Sequence, residues 1–153
     1  SNFICAMPTN LYGPDDNFDL ETSHVLPALI RKFHDAKVNK SPTVTLWGTG
    51  RPRREFLYAD DLADACLFLM ANYDDREIIN VGCGEDLPIS DLAELVKEIV
   101  GYDGKVIWDT DKPDGTPRKI LDVSRVYALG WRHKMKLADG IKTTYEFYQK
   151  KYG

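Results

Sequence analysis

The chain alternates between two patterns of apolar positions, one with helical spacing and one with the short period of a strand. Helical spacing occupies residues 23–37, 60–73, 90–100, 123–129 and 137–152. Short apolar runs of strand length lie at residues 3–8, 43–47, 55–58, 78–81 and 105–108. Strands that alternate with helices predict an α/β fold. A chain of 153 residues suits one domain.

Serine and aspartate residues mark the starts of the predicted helices. Ser23 and Ser90 stand at the beginning of apolar helical patterns, where a side-chain oxygen commonly caps the first turn. The pair Asp60-Asp61 resembles catalytic carboxylates, but its position at the start of a helix favours capping. We therefore assign both aspartates a structural role.

The net charge and the cysteines limit the classes of function. A net charge of −4 argues against nucleic-acid binding, which favours an excess of Lys and Arg. No apolar run is long enough to span a bilayer and no secretion signal is recognisable, so we expect no membrane partner. An odd number of cysteines without paired spacing predicts a reducing cytoplasm. We expect Cys5 and Cys66 to be buried and Cys83, in a Gly-x-Gly loop, to be accessible.

The first predicted strand leads directly into an irregular loop over residues 9–22, and the stretch from Met7 to Phe18 across this junction is rich in Pro, Asn, Asp and Gly. Loops at the carboxyl ends of strands are where α/β enzymes bind ligands. An ordinary strand-to-loop turn uses the same residue types. The composition of this loop therefore leaves both interpretations open.

His24 is the histidine whose setting best suits catalysis. It follows Ser23 at a predicted helix start, where the helix dipole disfavours the charged imidazolium. A histidine held there can exchange a proton near neutral pH. A histidine that merely completes the cap explains the same pattern, and the residues alone favour that structural role. The chain's three histidines lack the spacing of a metal site, so we expect no metal.

Several segments together resemble the GDP-L-fucose synthases, which belong to the extended short-chain dehydrogenase/reductases. The matching segments are Met7 to Phe18, Ser23 to Leu29, Trp47 to Gly50, Arg54 to Leu57 with Asp60-Asp61, Asn80 to Gly82, and Lys112 to Lys119. Each segment alone is weak, but the set is specific because the segments follow one another at family-like spacing. The resemblance implies an enzyme that converts GDP-4-keto-6-deoxy-D-mannose to GDP-L-fucose by epimerisation and NADPH-dependent reduction.

The resemblance also assigns roles to individual residues. His24 would donate a proton during epimerisation and would contact the cofactor NADP(H). The nicotinamide would be held by Pro8, Thr9, Asn10 and Leu11. The GDP-sugar would be bound by Lys32, Trp47, Arg54, Lys105, Asp114 and Lys119. Arg54 would hold the diphosphate and Asp114 the guanine, whereas isolated lysines are more often plain surface charges.

Two signatures of the reductase family have no match in this sequence. One is the glycine-rich turn that approaches the cofactor pyrophosphate. The other is a Tyr and a Lys four residues apart, whereas Tyr102 and Lys105 are three apart. We therefore expect residues 1–153 to be the C-terminal portion of such an enzyme, mainly its nucleotide-sugar substrate-binding domain.

The missing signatures determine what we expect of the rest of the enzyme. NADP(H) would be bound mainly by an N-terminal Rossmann domain that is absent here, and the strands at 3–8 and 78–81 would complete its sheet. The fragment alone would be inactive, and the complete enzyme would be a homodimer.

Two other hypotheses remain open. Another nucleotide-sugar epimerase or dehydratase of the same superfamily fits, because many of these enzymes share Arg54-Glu55-Phe56 with Asp60-Asp61. A non-catalytic nucleotide-sugar-binding module also fits. The segments Ser23 to Val25 and Lys112 to Lys119 favour the fucose enzymes.

Overall fold

The computed structural model describes residues 3–153, and its architecture is mixed α/β. The strands are Ala6–Pro8 (β1), Asn10–Tyr12 (β2), Thr43–Trp47 (β3), Arg53–Arg54 (β4), Phe56–Tyr58 (β5), Ile79–Val81 (β6), Leu87–Pro88 (β7), Lys105–Asp109 (β8) and Arg118–Lys119 (β9). The helices are Val25–Val38 (α1), Ala59–Asn72 (α2), Ile89–Val100 (α3), Ser124–Ala128 (α4) and Leu137–Tyr152 (α5). The predicted α/β class is confirmed.

The predicted elements with the clearest periodicity are the most accurate. The last helix spans Leu137–Tyr152 and β3 spans Thr43–Trp47, both as predicted. The first strand is shorter than predicted, since β1 begins at Ala6. The loop predicted from residue 9 is wrong at its start, because Asn10–Tyr12 form β2, which pairs with β5. The two-residue strands β7 and β9 have no predicted counterpart, because pairs this short carry no period.

Small sheets bring the strands together mostly in parallel pairs. β1 pairs with β6, β2 with β5 and β3 with β8, all in parallel. In the remaining sheet β4 lies between β7, which runs antiparallel to it, and β9, which runs parallel. Because parallel strands end at the same edge, Trp47 at the end of β3 lies beside Asp109 at the end of β8.

Two apolar cores support these sheets. The larger core lies between α1, α3 and α5 and includes Phe33, Leu92 and Ile141, all fully buried. The smaller core packs α2 and α4 against β6 around Leu69 and Ile79. Full burial of one such side chain stabilises a fold by about 1.5–3 kcal/mol. Within residues 3–153, none of the helices is both long enough and apolar enough to cross a bilayer.

The serine cap predicted for the first helix is wrong. His24 itself occupies the N-cap of α1, with extended backbone angles and no side-chain capping hydrogen bond. Ser23 lies one residue outside, and its buried hydroxyl has no hydrogen-bond partner in the described part of the chain. The turn into the helix therefore begins one residue later than the residue types indicate.

The serine cap predicted for the third helix is also wrong. Pro88 is the N-cap of α3, and Ser90 lies inside the helix with its hydroxyl on Asp91. The first backbone N–H groups of this helix donate instead to the carbonyls of Pro52 and Gly50, each at 2.9 Å. A neighbouring loop satisfies donors that a serine cap would otherwise satisfy.

Asp61 is structural, but it is not a helix cap. Its side chain is buried within α2, and Tyr58 occupies the N-cap. The two carboxylate oxygens accept the backbone N–H groups of Lys134 at 3.0 Å and Met135 at 2.9 Å. Asp61 therefore fastens the segment before α5 onto α2.

Two of the three cysteine predictions are wrong. Cys5 and Cys66 are both exposed, whereas Cys83 is partly exposed in its loop. Cys66 lies on the side of α2 that also presents Leu67 and Met70, which are 70% and 76% exposed. The apolar periodicity of this helix is real, but part of its apolar surface packs against nothing in the described chain.

Candidate nucleotide-sugar site

A cavity of about 630 Å³ opens between the start of α1, the ends of β3 and β8, and the start of α3. Its lining is mainly apolar, and it includes Lys32, Trp47 and Trp108. The larger apolar core, which lies beneath α1 and α3, supports the lining of this cavity. Two of the predicted substrate residues, Lys32 and Trp47, therefore face the same open space.

Trp47 presents a flat aromatic surface at the end of β3, and the side chain is 68% exposed. The ammonium groups of Lys32 and Lys112 each lie 5.6 Å from the centre of its ring. Partial burial lowers the pKa of Lys32. An exposed aromatic ring with two flanking cations is a better place for a flat or anionic ligand than a plain surface position is.

A second cavity of about 170 Å³ adjoins the first and contains Arg54 and Asp114. The two cavities share Val25, Trp47 and Ile89 in their linings. The structure therefore brings four of the predicted substrate residues to one continuous surface.

Hydrogen bonds hold the Arg54 side chain in place. One guanidinium nitrogen donates to the carbonyl of Arg53 at 2.8 Å and to that of Thr116 at 2.6 Å. Other guanidinium N–H groups stay available, because guanidinium carries five donors. Arg54 is therefore preorganised to bind an anion in the smaller cavity.

Asp114 is fastened to the turn that follows β3. Its Oδ1 accepts the backbone N–H of Thr49 at 2.8 Å, and its Oδ2 accepts the Thr49 hydroxyl at 2.7 Å. These hydrogen bonds, the hydroxyl first, lower the pKa of Asp114. A side chain at Gly48, whose φ is +79°, would collide with this carboxylate. The glycine in the turn is thus required by the position of Asp114.

The remaining two predicted substrate residues lie in different settings. Lys119 is exposed and pairs in register with Arg54 between β9 and β4. Lys105 pairs with Thr43 at the opposite end of the β3–β8 ladder from Trp47. Four residues of strand separate the two ends by about 13 Å. The structure does not bring Lys105 to the cavities.

The β1–β2 segment from Pro8 to Leu11 is tied to Glu55, to which the sequence analysis assigned no role of its own. The Thr9 hydroxyl and the Asn10 side-chain amide both donate to the backbone carbonyl of Glu55, at 3.4 and 2.8 Å. Exposed Pro8 and partly exposed Leu11 remain at the surface. The signal available in the sequence was an acidic residue directly between Arg54 and an apolar run.

The described residues fit a nicotinamide cofactor only in part. The β1–β2 segment offers one wall, but the turns at Gly48 and Gly82 are filled by the chain's own side chains. A Cβ at Gly48 would meet Asp114, and one at Gly82 would meet Glu55. These two turns therefore offer no open cradle for a pyrophosphate. Among residues 3–153, no cluster of His, Cys, Asp and Glu could hold a metal ion.

His24 lies beside the larger cavity, whose lining includes both its neighbours, Ser23 and Val25. The imidazole is exposed at the N-cap of α1. His34, by contrast, is engaged with the Tyr145 hydroxyl at 3.1 Å. His24 is thus the histidine placed next to the cavity that also contains Lys32 and Trp47.

The family model of the NAD dependent epimerase/dehydratase family matches residues 1–82. The chain belongs to this family. Within it, GDP-L-fucose synthase 1 of Arabidopsis thaliana is 58% identical over 147 residues, which are 96% of this chain and 46% of that protein. The GDP-L-fucose synthase of Escherichia coli K12 is 47% identical over 156 residues, covering 96% of this chain and 49% of that protein.

Solved structures of similar proteins agree with the fold. The GDP-L-fucose synthetase of Naegleria fowleri bound to NADP matches with a TM-score of 0.92 at 33% identity, over 98% of this chain and 47% of that chain. The UDP-glucose 4-epimerase of Thermotoga maritima, solved with UDP-glucose, matches with a TM-score of 0.84 at 28% identity, over 97% and 46%. The chain spans about half the length of the curated relatives it matches, and it aligns with their C-terminal part.

Proposed function

We propose that this chain is the substrate-binding part of a GDP-L-fucose synthase, and that the two adjoining cavities hold its GDP-sugar. The observation that carries the proposal is the placement of Lys32, Trp47, Arg54 and Asp114 on one surface. Relatives named GDP-L-fucose synthase, 47% to 59% identical, support the assignment.

Each of these side chains suits a different part of a GDP-sugar. The fixed guanidinium of Arg54 grips the diphosphate, and Lys32 adds a second positive charge at the cavity wall. Trp47 supplies a flat surface for a ring of the ligand. The Asp114 carboxylate, kept ionised by Thr49, accepts hydrogen bonds from the N–H groups of guanine. Lys119, beside Arg54, adds charge at the edge of the site.

His24 would act as the proton donor of the epimerisation. The carbons that flank the 4-keto group of GDP-4-keto-6-deoxy-D-mannose lose a proton on one face and regain one on the other. An imidazole at the mouth of the larger cavity can deliver that proton. NADPH then supplies the hydride that reduces the keto group. The β1–β2 segment from Pro8 to Leu11 would form one side of the nicotinamide site.

The remainder of the enzyme would bind NADP(H) and provide the Tyr and Lys of the reductase. Leu67 and Met70 on α2 are exposed, as are Met7 on β1 and Ile78 next to β6. An apolar surface of this kind is typical of an interface. We assign it to the N-terminal Rossmann domain, whose sheet β1 and β6 would extend. The isolated chain is then inactive, and the complete enzyme acts in the cytoplasm as a homodimer.

A second candidate is an epimerase for another nucleotide-sugar. The structural match to a UDP-glucose 4-epimerase favours it, since both chains share the fold of this site. The two candidates differ in the base that is bound, and Asp114 is the residue that would distinguish guanine from uracil. A non-catalytic binding module would bind the sugar without turning it over.

Isotope exchange in the complete protein that carries this chain tests the proposal. We expect it to convert the keto-sugar to GDP-L-fucose with NADPH, and to place solvent deuterium at the epimerised carbons. His24→Gln should abolish that incorporation while NADPH still binds. His34→Gln, the matched control, should leave it unchanged. Incorporation that persists in His24→Gln would contradict the role of His24, and absence of turnover in the wild type would contradict the proposed function.

A further inference from the structure

Two lysine ammonium groups lie beside the Trp47 ring, and one of them, that of Lys112, has no assigned role. The Nζ atoms of Lys32 and Lys112 are each 5.6 Å from the centre of the ring. At this distance the negative face of an aromatic ring attracts a cation. Lys32 extends from α1, whereas Lys112 extends from the loop between β8 and β9. Two separate segments of the chain thus place positive charge at one exposed ring.

The chain itself does not neutralise either ammonium group. Among residues 3–153, no carboxylate forms a salt bridge with Lys32 or Lys112. The Lys32 ammonium donates to the Thr45 carbonyl, and at 3.5 Å this hydrogen bond is long. Partial burial lowers the pKa of Lys32, and a bound anion would oppose that effect. Because an ammonium has three donors, both groups keep donors for a ligand.

Two of the acids closest to Lys112 in the sequence are engaged with other groups. The carboxylate of Asp109 accepts the backbone N–H of Asp111 at 3.2 Å. Both carboxylate oxygens of Asp114 accept hydrogen bonds from Thr49, at 2.8 and 2.7 Å. The charge of Lys112 is therefore available to an anion that enters the site.

The loop that carries Lys112 also reaches Arg54. Gly115 lies three residues after Lys112, and a Cβ on it would be 3.0 Å from Nη2 of Arg54. Three residues of chain span at most about 11 Å. Pro113, directly after Lys112, lines the smaller cavity together with Trp47 and Arg54. Lys112 and Arg54 thus lie at the border of the same cavity.

We propose that Lys112 is a further anion-binding residue of this site, and that its ammonium, held at Trp47, contacts the diphosphate of a nucleotide ligand alongside Arg54. A diphosphate carries negative charge on both phosphates, so one guanidinium leaves charge to be balanced. Arginine binds phosphate through two parallel hydrogen bonds, whereas lysine acts as a point charge. The identity of the ligand as a GDP-sugar rests on the proposed function. Contact with the diphosphate does not depend on the base.

Calorimetric titration of the complete protein that carries this chain, with GDP and with guanosine, tests the role of Lys112. Lys112→Met removes the charge but keeps a long side chain beside Trp47, so the affinity for GDP should fall about fivefold or more. Guanosine carries no phosphate and should bind this variant as it binds the wild type. Lys112→Arg should restore GDP binding to within about twofold. Lys142→Met, at an exposed lysine on α5, is the control and should match the wild type.

Two results would overturn the proposal. The first is equal affinity for GDP in Lys112→Met and the wild type, and a lower urea midpoint with that unchanged affinity would mark Lys112 as structural. The second is an equal loss of affinity for GDP and for guanosine, which would assign Lys112 to the support of Trp47 and not to the phosphates.

Titration with GDP-L-fucose and UDP-glucose separates this proposal from the proposed function. If the wild type prefers GDP-L-fucose and Lys112→Met binds it equally well, the role of Lys112 falls and the proposed function stands. If the wild type binds both ligands equally and Lys112→Met weakens both, the diphosphate contact stands and the proposed function falls. If the folded wild type binds neither ligand, both proposals fall.

Discussion

Asn10 donates a hydrogen bond from its side-chain amide to the backbone carbonyl of Glu55 at 2.8 Å. The carboxylate of Glu55 is fully buried and accepts the backbone N–H groups of Gly84 at 2.7 Å and Leu121 at 3.1 Å. A single acidic residue thus joins the start of β2 to the loops that follow β6 and β9. Glu55 also precedes β5 and directly follows Arg54, so the proposed cofactor and diphosphate contacts share one support.

Replacement of Glu55 should destabilise the fold strongly. In Glu55→Gln the new amide group directs its own hydrogens at a buried backbone donor, which loses its partner. We expect the free energy of unfolding to fall by about 2–3 kcal/mol. Urea unfolding measures this, with exposed Glu98→Gln as the control. A Glu55→Gln chain as stable as the control would show that the buried contacts contribute little.

The contacts of Asp61 predict a difference between two adjacent aspartates. Asp61→Ala leaves the backbone N–H groups of Lys134 and Met135 without their acceptor, so the free energy of unfolding should fall by about 2 kcal/mol. Asp60 is exposed on the same helical turn. Asp60→Ala should change stability by less than about 0.5 kcal/mol. Similar losses in the two variants would support the capping role that the sequence predicts.

Asp86 makes the stability of the β7–β4–β9 sheet dependent on pH. The Arg118 and Arg53 side chains donate to its carboxylate and lower the pKa of Asp86. A carboxylate with a lowered pKa stabilises the fold at pH values above its pKa in the unfolded chain, which is about 4. That stabilisation is lost as the pH falls through the lowered pKa of the folded chain.

The pH dependence can be assigned to Asp86 by substitution. We expect the urea midpoint of the wild type to fall as the pH decreases below about 5, and to fall less steeply in Asp86→Asn. Exposed Asp103→Asn should follow the wild-type curve. Parallel curves for all three proteins would mean that other carboxylates cause the loss of stability at low pH.

The exposed apolar side of α2 should make the isolated chain self-associate. Leu67 and Met70 lie there at 70% and 76% exposure. The double variant Leu67→Lys, Met70→Lys should sediment as a smaller species than the wild type at the same concentration, with an unchanged urea midpoint. Val38→Lys replaces a single exposed apolar residue at the end of α1 and serves as the control. A wild-type chain that stays monomeric at high concentration would contradict this prediction.

Elements with a clear period could be predicted from the sequence, but the exact starts of helices could not. The boundaries of α5 agree because its apolar side repeats without interruption over Leu137–Tyr152. The cap at Ser90 fails because residue type cannot show that carbonyls of a distant loop satisfy the first N–H groups of α3. Exposure of Cys66 also escaped prediction, since an apolar side of a helix does not reveal which surface covers it.

The candidate site could be predicted in composition and only partly in arrangement. The resemblance named Lys32, Trp47, Arg54 and Asp114, which the fold collects around two adjoining cavities. It also named Lys105, which the register of β3 and β8 places at the far end of the ladder. The roles of all these residues stay predictions, because strand register and side-chain contacts position the groups without revealing the ligand.

Calorimetric titration of this chain with GDP-L-fucose tests the central claim most directly, with UDP-glucose and NADP as comparison ligands. The account predicts that GDP-L-fucose binds at least about tenfold more tightly than either, and that Arg54→Met lowers its affinity by about tenfold or more. Arg76→Met, at an exposed arginine away from the cavities, should bind like the wild type. Equal affinity for UDP-glucose, an unchanged affinity in Arg54→Met, or no binding by a chain shown to be folded would contradict the account.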